Sequence, residues 1–136
     1  MPPNSDGDAA SSGASSLKGV RVLVVEDTWH VAKALKTALE SMGLVVSGPA
    51  ATAADAERLL AEQEPHLAVV DLNLKGEMAY ALIDRMHERG VRVIVASGYA
   101  VLPNATRNAV AILQKPFSGA ELQAKLRQAM RPATSR

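Results

Sequence analysis

The sequence predicts an α/β fold built on a doubly wound, five-stranded parallel sheet, and three observations predict it. Short runs rich in Val, Leu and Ile alternate with longer stretches of helical periodicity, the pattern of repeated βα units. The runs are apolar almost throughout, as at 67–70 and 91–96, so they belong to strands buried on both faces. They also stop on polar residues: Glu26 and Asp27 after the first run, Asp71 after the third, Ser97 after the fourth and Lys115 after the fifth. A carboxylate closing a run as apolar as Leu67, Ala68, Val69 and Val70 is the feature that most needs explaining.

Residues 1–17, MPPNSDGDAASSGASSL, are rich in Ser, Gly, Ala, Pro and Asp without periodicity, and they lack the apolar surface to offset the entropy of ordering. A disordered tail is expected there, then one domain over 18–131 and a short tail at 132–136. The first strand is expected at 20–25. A helix at 28–42 follows, with Val31, Leu35, Ala38, Leu39 and Met42 at helical spacing and Gly43 as its stop. A second strand is expected at 44–47, then a helix at 52–64 ended by Pro65. The third strand, 67–70, leads to a helix at 78–89 that carries Met78, Ala79, Leu82, Ile83 and Met86 on one face before Gly90. Strands at 91–96 and 110–114 complete the sheet. Ser118 and Glu121 form a capping box that opens the last helix, which buries Leu122, Leu126 and Met130. Between 98 and 108, GYAVLPNATRN, the Gly, Pro and two Asn leave at most a short, mobile fourth helix.

Composition narrows the function classes. A chain of 136 residues with 48% hydrophobic content has room for one core and not for two. Fifteen Lys and Arg against 14 Asp and Glu give a net charge of +1, which provides no electrostatic footprint for nucleic acid or anionic lipid. The absence of cysteine excludes disulfides, thiolate metal sites and Cys nucleophiles. No basic-then-apolar leader and no apolar run of about 18 residues is present, so a cytoplasmic protein is expected.

In an open parallel sheet, ligands bind outside the carboxyl ends of the strands, where the strand order reverses. If the first, third, fourth and fifth strands are neighbours, Glu26, Asp27, Asp71, Ser97 and Lys115 converge on one crevice. Three carboxylates that close repel one another and call for a cation. Hard oxygen ligands without thiolates or a nearby His favour Mg²⁺ or Mn²⁺ over Zn²⁺. Lys115 and the Ser97 hydroxyl would complete a site for a transferring phosphoryl group, and the available nucleophile is a carboxylate. Taken singly, each feature has an ordinary structural use. A strand-end Asp forms turns, Glu26 and Asp27 suit a helix N-terminus, Lys115 can extend its stem along an apolar edge, and Trp29 can pack at a helix start. His30, His66 and His87 are scattered over different elements and form no site.

The motifs VEDTW, VVDLNLKG, VASGYA and LQKPF, in this order over residues 19–131, resemble the receiver domain of two-component response regulators. The resemblance implies a flavodoxin-like (βα)5 fold with Asp71 as the phosphoacceptor, loaded by a histidine kinase or a phosphotransfer protein. It implies that Asp27, Asp71 and the backbone carbonyl of Asn73 ligate Mg²⁺, with Glu26 reaching it through water. Ser97 would be the switch hydroxyl and Lys115 the phosphate-binding lysine, followed by a cis peptide bond to Pro116. Beyond its own phosphorylation and dephosphorylation, no enzymatic activity is implied.

The chain departs from the usual pattern at Ile112, three positions before Lys115, where most receivers carry an aromatic switch. VASGYA partly resembles a mainly alphaproteobacterial subclass with an F-A-T-G signature, with Val95 and Ser97 in place of its Phe and Thr. Tyr99 is then a candidate substitute aromatic, and 98–108 a segment to order or shift on activation. A stand-alone receiver is expected, with no effector domain after Met130 and no direct DNA contact. Its output would pass through a downstream protein or a phosphorelay, and a homodimer through the outer strands and last helices is compatible with the pattern. Two other classes share part of it. One is a non-phosphorylated pseudo-receiver adaptor. The other is an aspartyl-nucleophile phosphatase of the haloacid dehalogenase type, against which stands Asn73 in place of that group's second Asp.

Overall fold

The computed structural model describes residues 17–98 and 107–131. In chain order the elements are β1 (Arg21–Val25), α1 (Trp29–Ser41), β2 (Val45–Ala50), α2 (Ala53–Gln63) and β3 (Leu67–Asp71). A short pair β4 (Asn73–Leu74) and β5 (Glu77–Met78) follows, then α3 (Tyr80–Glu88), β6 (Arg92–Ser97), β7 (Ala111–Gln114) and α4 (Gly119–Met130). β4 and β5 pair antiparallel by themselves; the other five strands form one parallel sheet in the order β2-β1-β3-β6-β7. This is the flavodoxin-like, doubly wound arrangement.

Every residue of β3 is buried, as a central strand with helices on both faces requires. Alternate side chains divide between two core layers. Leu23, Val25, Ala68, Val70, Val93 and Val95 pack with Leu60 of α2 and Leu82, Ile83 and Met86 of α3. Val22, Val24, Leu67, Val69 and Ile94 pack with Leu35 and Leu39 of α1 and Leu122 and Leu126 of α4. Each of these large side chains contributes roughly 1.5–3 kcal/mol on burial. At the start of α4, the Glu121 N–H donates to Ser118 Oγ at 3.1 Å and the Ser118 N–H to Glu121 Oε1 at 2.8 Å, a complete capping box.

Four expectations need correction. Leu17, assigned from the sequence to the tail, is fully buried against the layer of α1 and α4. β2 does not stop at Ser47 but runs on to Ala50 through a register shift opposite β1 and a cis Gly48–Pro49 bond. Only glycine fits position 48: its φ is +91°, and a Cβ there would lie 2.7 Å from the Val24 carbonyl oxygen. The extension matters at the site, because the Ala50 carbonyl accepts the Glu26 N–H at 2.9 Å. Met78 does not belong to the helical face; it lies in β5 and is 36% exposed, and the helix begins at Tyr80. Val110 lies just outside β7, on the surface. Most of the expected fourth helix, Tyr99 included, lies outside the described residues. Among the described residues, no helix is long and apolar enough to cross a membrane.

Candidate functional site

The strand order places β1, β3, β6 and β7 side by side, and their register aligns the carboxyl ends. Val25 lies opposite Val70, Asp71 opposite Ala96, and Ser97 opposite Gln114. Strand order reverses between β1 and β3, with β2 on the far side of β1, so a crevice opens where Glu26, Asp27 and Asp71 emerge. That position answers why β3 ends on an acid.

Within this crevice, one ligand atom each from Glu26, Asp27 and Asp71 lies within 4.8 Å of the others. The Glu26 side chain is 2% exposed, and its two oxygens have separate donors. Oε1 accepts from Lys115 Nζ at 2.8 Å, and Oε2 from the Thr28 N–H at 3.1 Å. Asp71 Oδ2 is 3.3 Å from the same Lys115 Nζ, while Oδ1 accepts the Asn73 N–H at 3.2 Å. Asp27 Oδ2 accepts the Lys75 N–H at 2.8 Å. Ser97 is buried, and its carbonyl accepts the Lys115 N–H at 2.7 Å. The bond from Lys115 to Pro116 is cis.

Asn73 uses its side-chain Oδ1 to accept the Gly76 N–H at 2.8 Å. Ile112 is half-buried against the layer of α2 and α3, which Tyr80 also touches. Trp29, just past Asp27, is 70% exposed, with Lys33 Nζ 4.9 Å from the centroid of its ring. It therefore contributes little to the core.

Burial pushes the Glu26 carboxyl above its usual range, and the nearby Asp71 charge adds to this, against the hydrogen bonds from Lys115 and Thr28. For Lys115, burial by itself disfavours the ammonium. Its hydrogen bond to Glu26 and the charges of Glu26 and Asp71 outweigh that effect and leave it raised above its ordinary value of 10.5. Three carboxylates face one ammonium, an excess of negative charge that a small divalent cation with a preference for oxygen would offset. The donor set fits Mg²⁺ or Mn²⁺. Two main-chain donors were invisible to side-chain reasoning, the N–H groups of Thr28 and Lys75. The second has a sequence trace in the Lys75–Gly76 pair, which suits a two-residue hairpin turn.

The five-stranded parallel sheet carries a carboxylate triad and a lysine together at its carboxyl edge, where open α/β sheets bind their ligands. The chain belongs to the response regulator receiver domain family, whose model matches residues 22–127. Among solved structures it is similar to the response regulator domain of CheB from Thermotoga maritima, with 27% identity and a TM-score of 0.74, covering 86% of this chain and 100% of that one. It is also similar to a CheY-like receiver domain from Methylobacillus flagellatus, with 23% identity, a TM-score of 0.74, and 82% and 99% of the two chains covered. The response regulator PhyR from Brucella abortus matches at 22% identity and a TM-score of 0.75, over 91% of this chain. The match takes in 53% of PhyR, so the chain spans about half the length of that relative. No curated protein matches the chain in sequence.

Proposed function

We propose that this receiver accepts a phosphoryl group on Asp71 from the phosphohistidine of a histidine kinase or a phosphotransfer protein, in the cytoplasm, and passes the signal on through protein contacts. The observation that carries this is the meeting of Asp71 with Lys115 at 3.3 Å inside a three-carboxylate cluster at the sheet's carboxyl edge. Asp27, Asp71 and the Asn73 carbonyl would hold Mg²⁺, with Glu26 behind them. Bound there, the ion would screen the charge of the incoming phosphoryl oxygens.

The chain's own groups account for the remaining chemistry. An Asp71 carboxylate oxygen attacks phosphorus, a P–O bond forms as the donor's P–N bond breaks, and the electron pair returns to the imidazole. Lys115, held charged by Glu26 and Asp71, supplies a fixed positive charge beside the new acyl phosphate. Ser97, at the end of the neighbouring strand β6, is the switch hydroxyl in this proposal, with Ile112 and Tyr99 as the residues that pass the change outward.

The test is intact-mass analysis after incubation with acetyl phosphate, with and without a chelator. One hydroxylamine-labile phosphoryl group is expected per chain, and only where Mg²⁺ is present. A chain that stays unmodified in Mg²⁺ would instead be a receiver acting as a non-phosphorylated adaptor.

A further inference from the structure

Two non-glycine residues among those described have a left-handed backbone, Glu64 at φ +46° and Lys75 at φ +52°. Glu64 is the C-cap of α2, where that conformation is an ordinary way to end a helix. No helix ends at Lys75. It stands with Gly76, φ +84°, in the two-residue turn between Leu74 and Glu77, and positive φ at both turn positions is the geometry that matches the twist of a tight hairpin. A lysine held there costs about 1 kcal/mol relative to glycine. The conformation delivers its N–H to Asp27 Oδ2 at 2.8 Å, across 48 residues of sequence. Asn73 Oδ1 braces the same turn by accepting the Gly76 N–H at 2.8 Å. The hairpin also follows β3 closely, with only Leu72 between Asp71 and Asn73, and is closed at its far end by the Ala79 N–H donating to the Leu72 carbonyl at 2.8 Å.

We propose that Lys75 is a positioning residue for the acid cluster: its main-chain N–H, aimed by the strained β4–β5 turn, fixes the Asp27 carboxylate in register with Asp71. The inference rests on the proposed Mg²⁺ site and adds a backbone contribution to it. The bond occupies one lone pair of Asp27 and leaves its other oxygen available to a cation. The lysine charge is incidental, and the φ angle is what counts.

Two substitutions separate charge from conformation. Lys75→Asn and Lys75→Val remove the same charge, but Asn accepts left-handed φ readily and β-branched Val does not. With Mg²⁺ binding to the full chain measured by calorimetry, Lys75→Asn is expected to bind within twofold of the unsubstituted protein. Lys75→Val is expected to bind about fivefold more weakly or worse, because fewer molecules hold the competent turn. Equal affinity in all three chains, or an equal loss in both variants, overturns the inference while leaving the metal site standing. No Mg²⁺ binding by the unsubstituted chain overturns the metal site and the inference together. A second measurement needs no metal and no folded Val variant. In the Mg²⁺-free protein, Asp27→Ala is expected to speed amide exchange at Lys75 several-fold and leave Gly76 protected by Asn73; unchanged exchange at Lys75 overturns the inference.

Discussion

An Asp71→Asn chain, incubated with Mg²⁺ and acetyl phosphate, is expected to gain no phosphoryl group and to keep its fold. The carboxylate is the proposed nucleophile and one member of the oxygen cluster, and an amide replaces it with a neutral group that attacks phosphorus poorly. Stability is expected to stay within about 1 kcal/mol of the unsubstituted chain or to rise, because the change removes a negative charge that stands beside Glu26 and raises its pKa. Lys115 keeps its 2.8 Å bond to Glu26, so no buried acid loses its partner. Intact mass and urea denaturation on the same sample separate the two effects. Full phosphoryl incorporation in Asp71→Asn would move the acceptor to another carboxylate of the cluster.

Lys115→Met is expected to do the opposite, damaging the fold as well as the site. Glu26 is nearly inaccessible to water, and losing its donor leaves Oε1 buried without the ammonium. The cost is about 2 kcal/mol at neutral pH, below the value for a fully buried pair because Lys115 itself is partly exposed. The pH dependence carries a sign that can be checked. Both groups have raised pKa values in the folded chain, so each favours folding below its ordinary value and loses that contribution as pH rises through the raised one. For Lys115 this places the loss above pH 10.5, and the alkaline fall in stability is expected to be shallower in Lys115→Met. For Glu26 it means that protonation relieves the variant, so the deficit narrows as pH falls towards 4.5. Denaturation curves at about pH 4, 7 and 11 test both limbs. A deficit that is constant across that range would show that packing of the lysine stem, and not the ion pair, is what was lost.

What was legible in the sequence was whatever depends on short-range pattern. The apolar run of β3 with Asp71 at its end, the helical face of Leu35 and Leu39, and the Ser118–Glu121 box each declare themselves within a few residues, and the structure places them accordingly. What was missed depends on tertiary pairing. The second strand is expected to end at Ser47, yet the sheet edge carries it on through Gly48 and Pro49, because glycine admits both the positive φ and the close approach of the Val24 carbonyl. Met78 kept helical spacing with Leu82, but the Lys75–Gly76 turn claimed it for β5 and left it at the surface. Leu17 sits next to a polar tract whose composition hid its place in the core. At the site itself, the convergence of Glu26, Asp27, Asp71 and Lys115 follows from strand ends alone. The backbone donors at Thr28 and Lys75 do not, since every residue but proline carries an N–H and only the fold selects which ones aim inward.

Borohydride trapping of the phosphorylated chain, followed by peptide mass mapping, identifies which residue carries the phosphoryl group. Borohydride reduces an aspartyl phosphate to homoserine and leaves free carboxylates untouched. Homoserine at position 71, dependent on Mg²⁺ during loading, is the expected result. Homoserine at position 27 or at any other aspartate, or its absence from a chain that has demonstrably gained phosphate, would contradict the account.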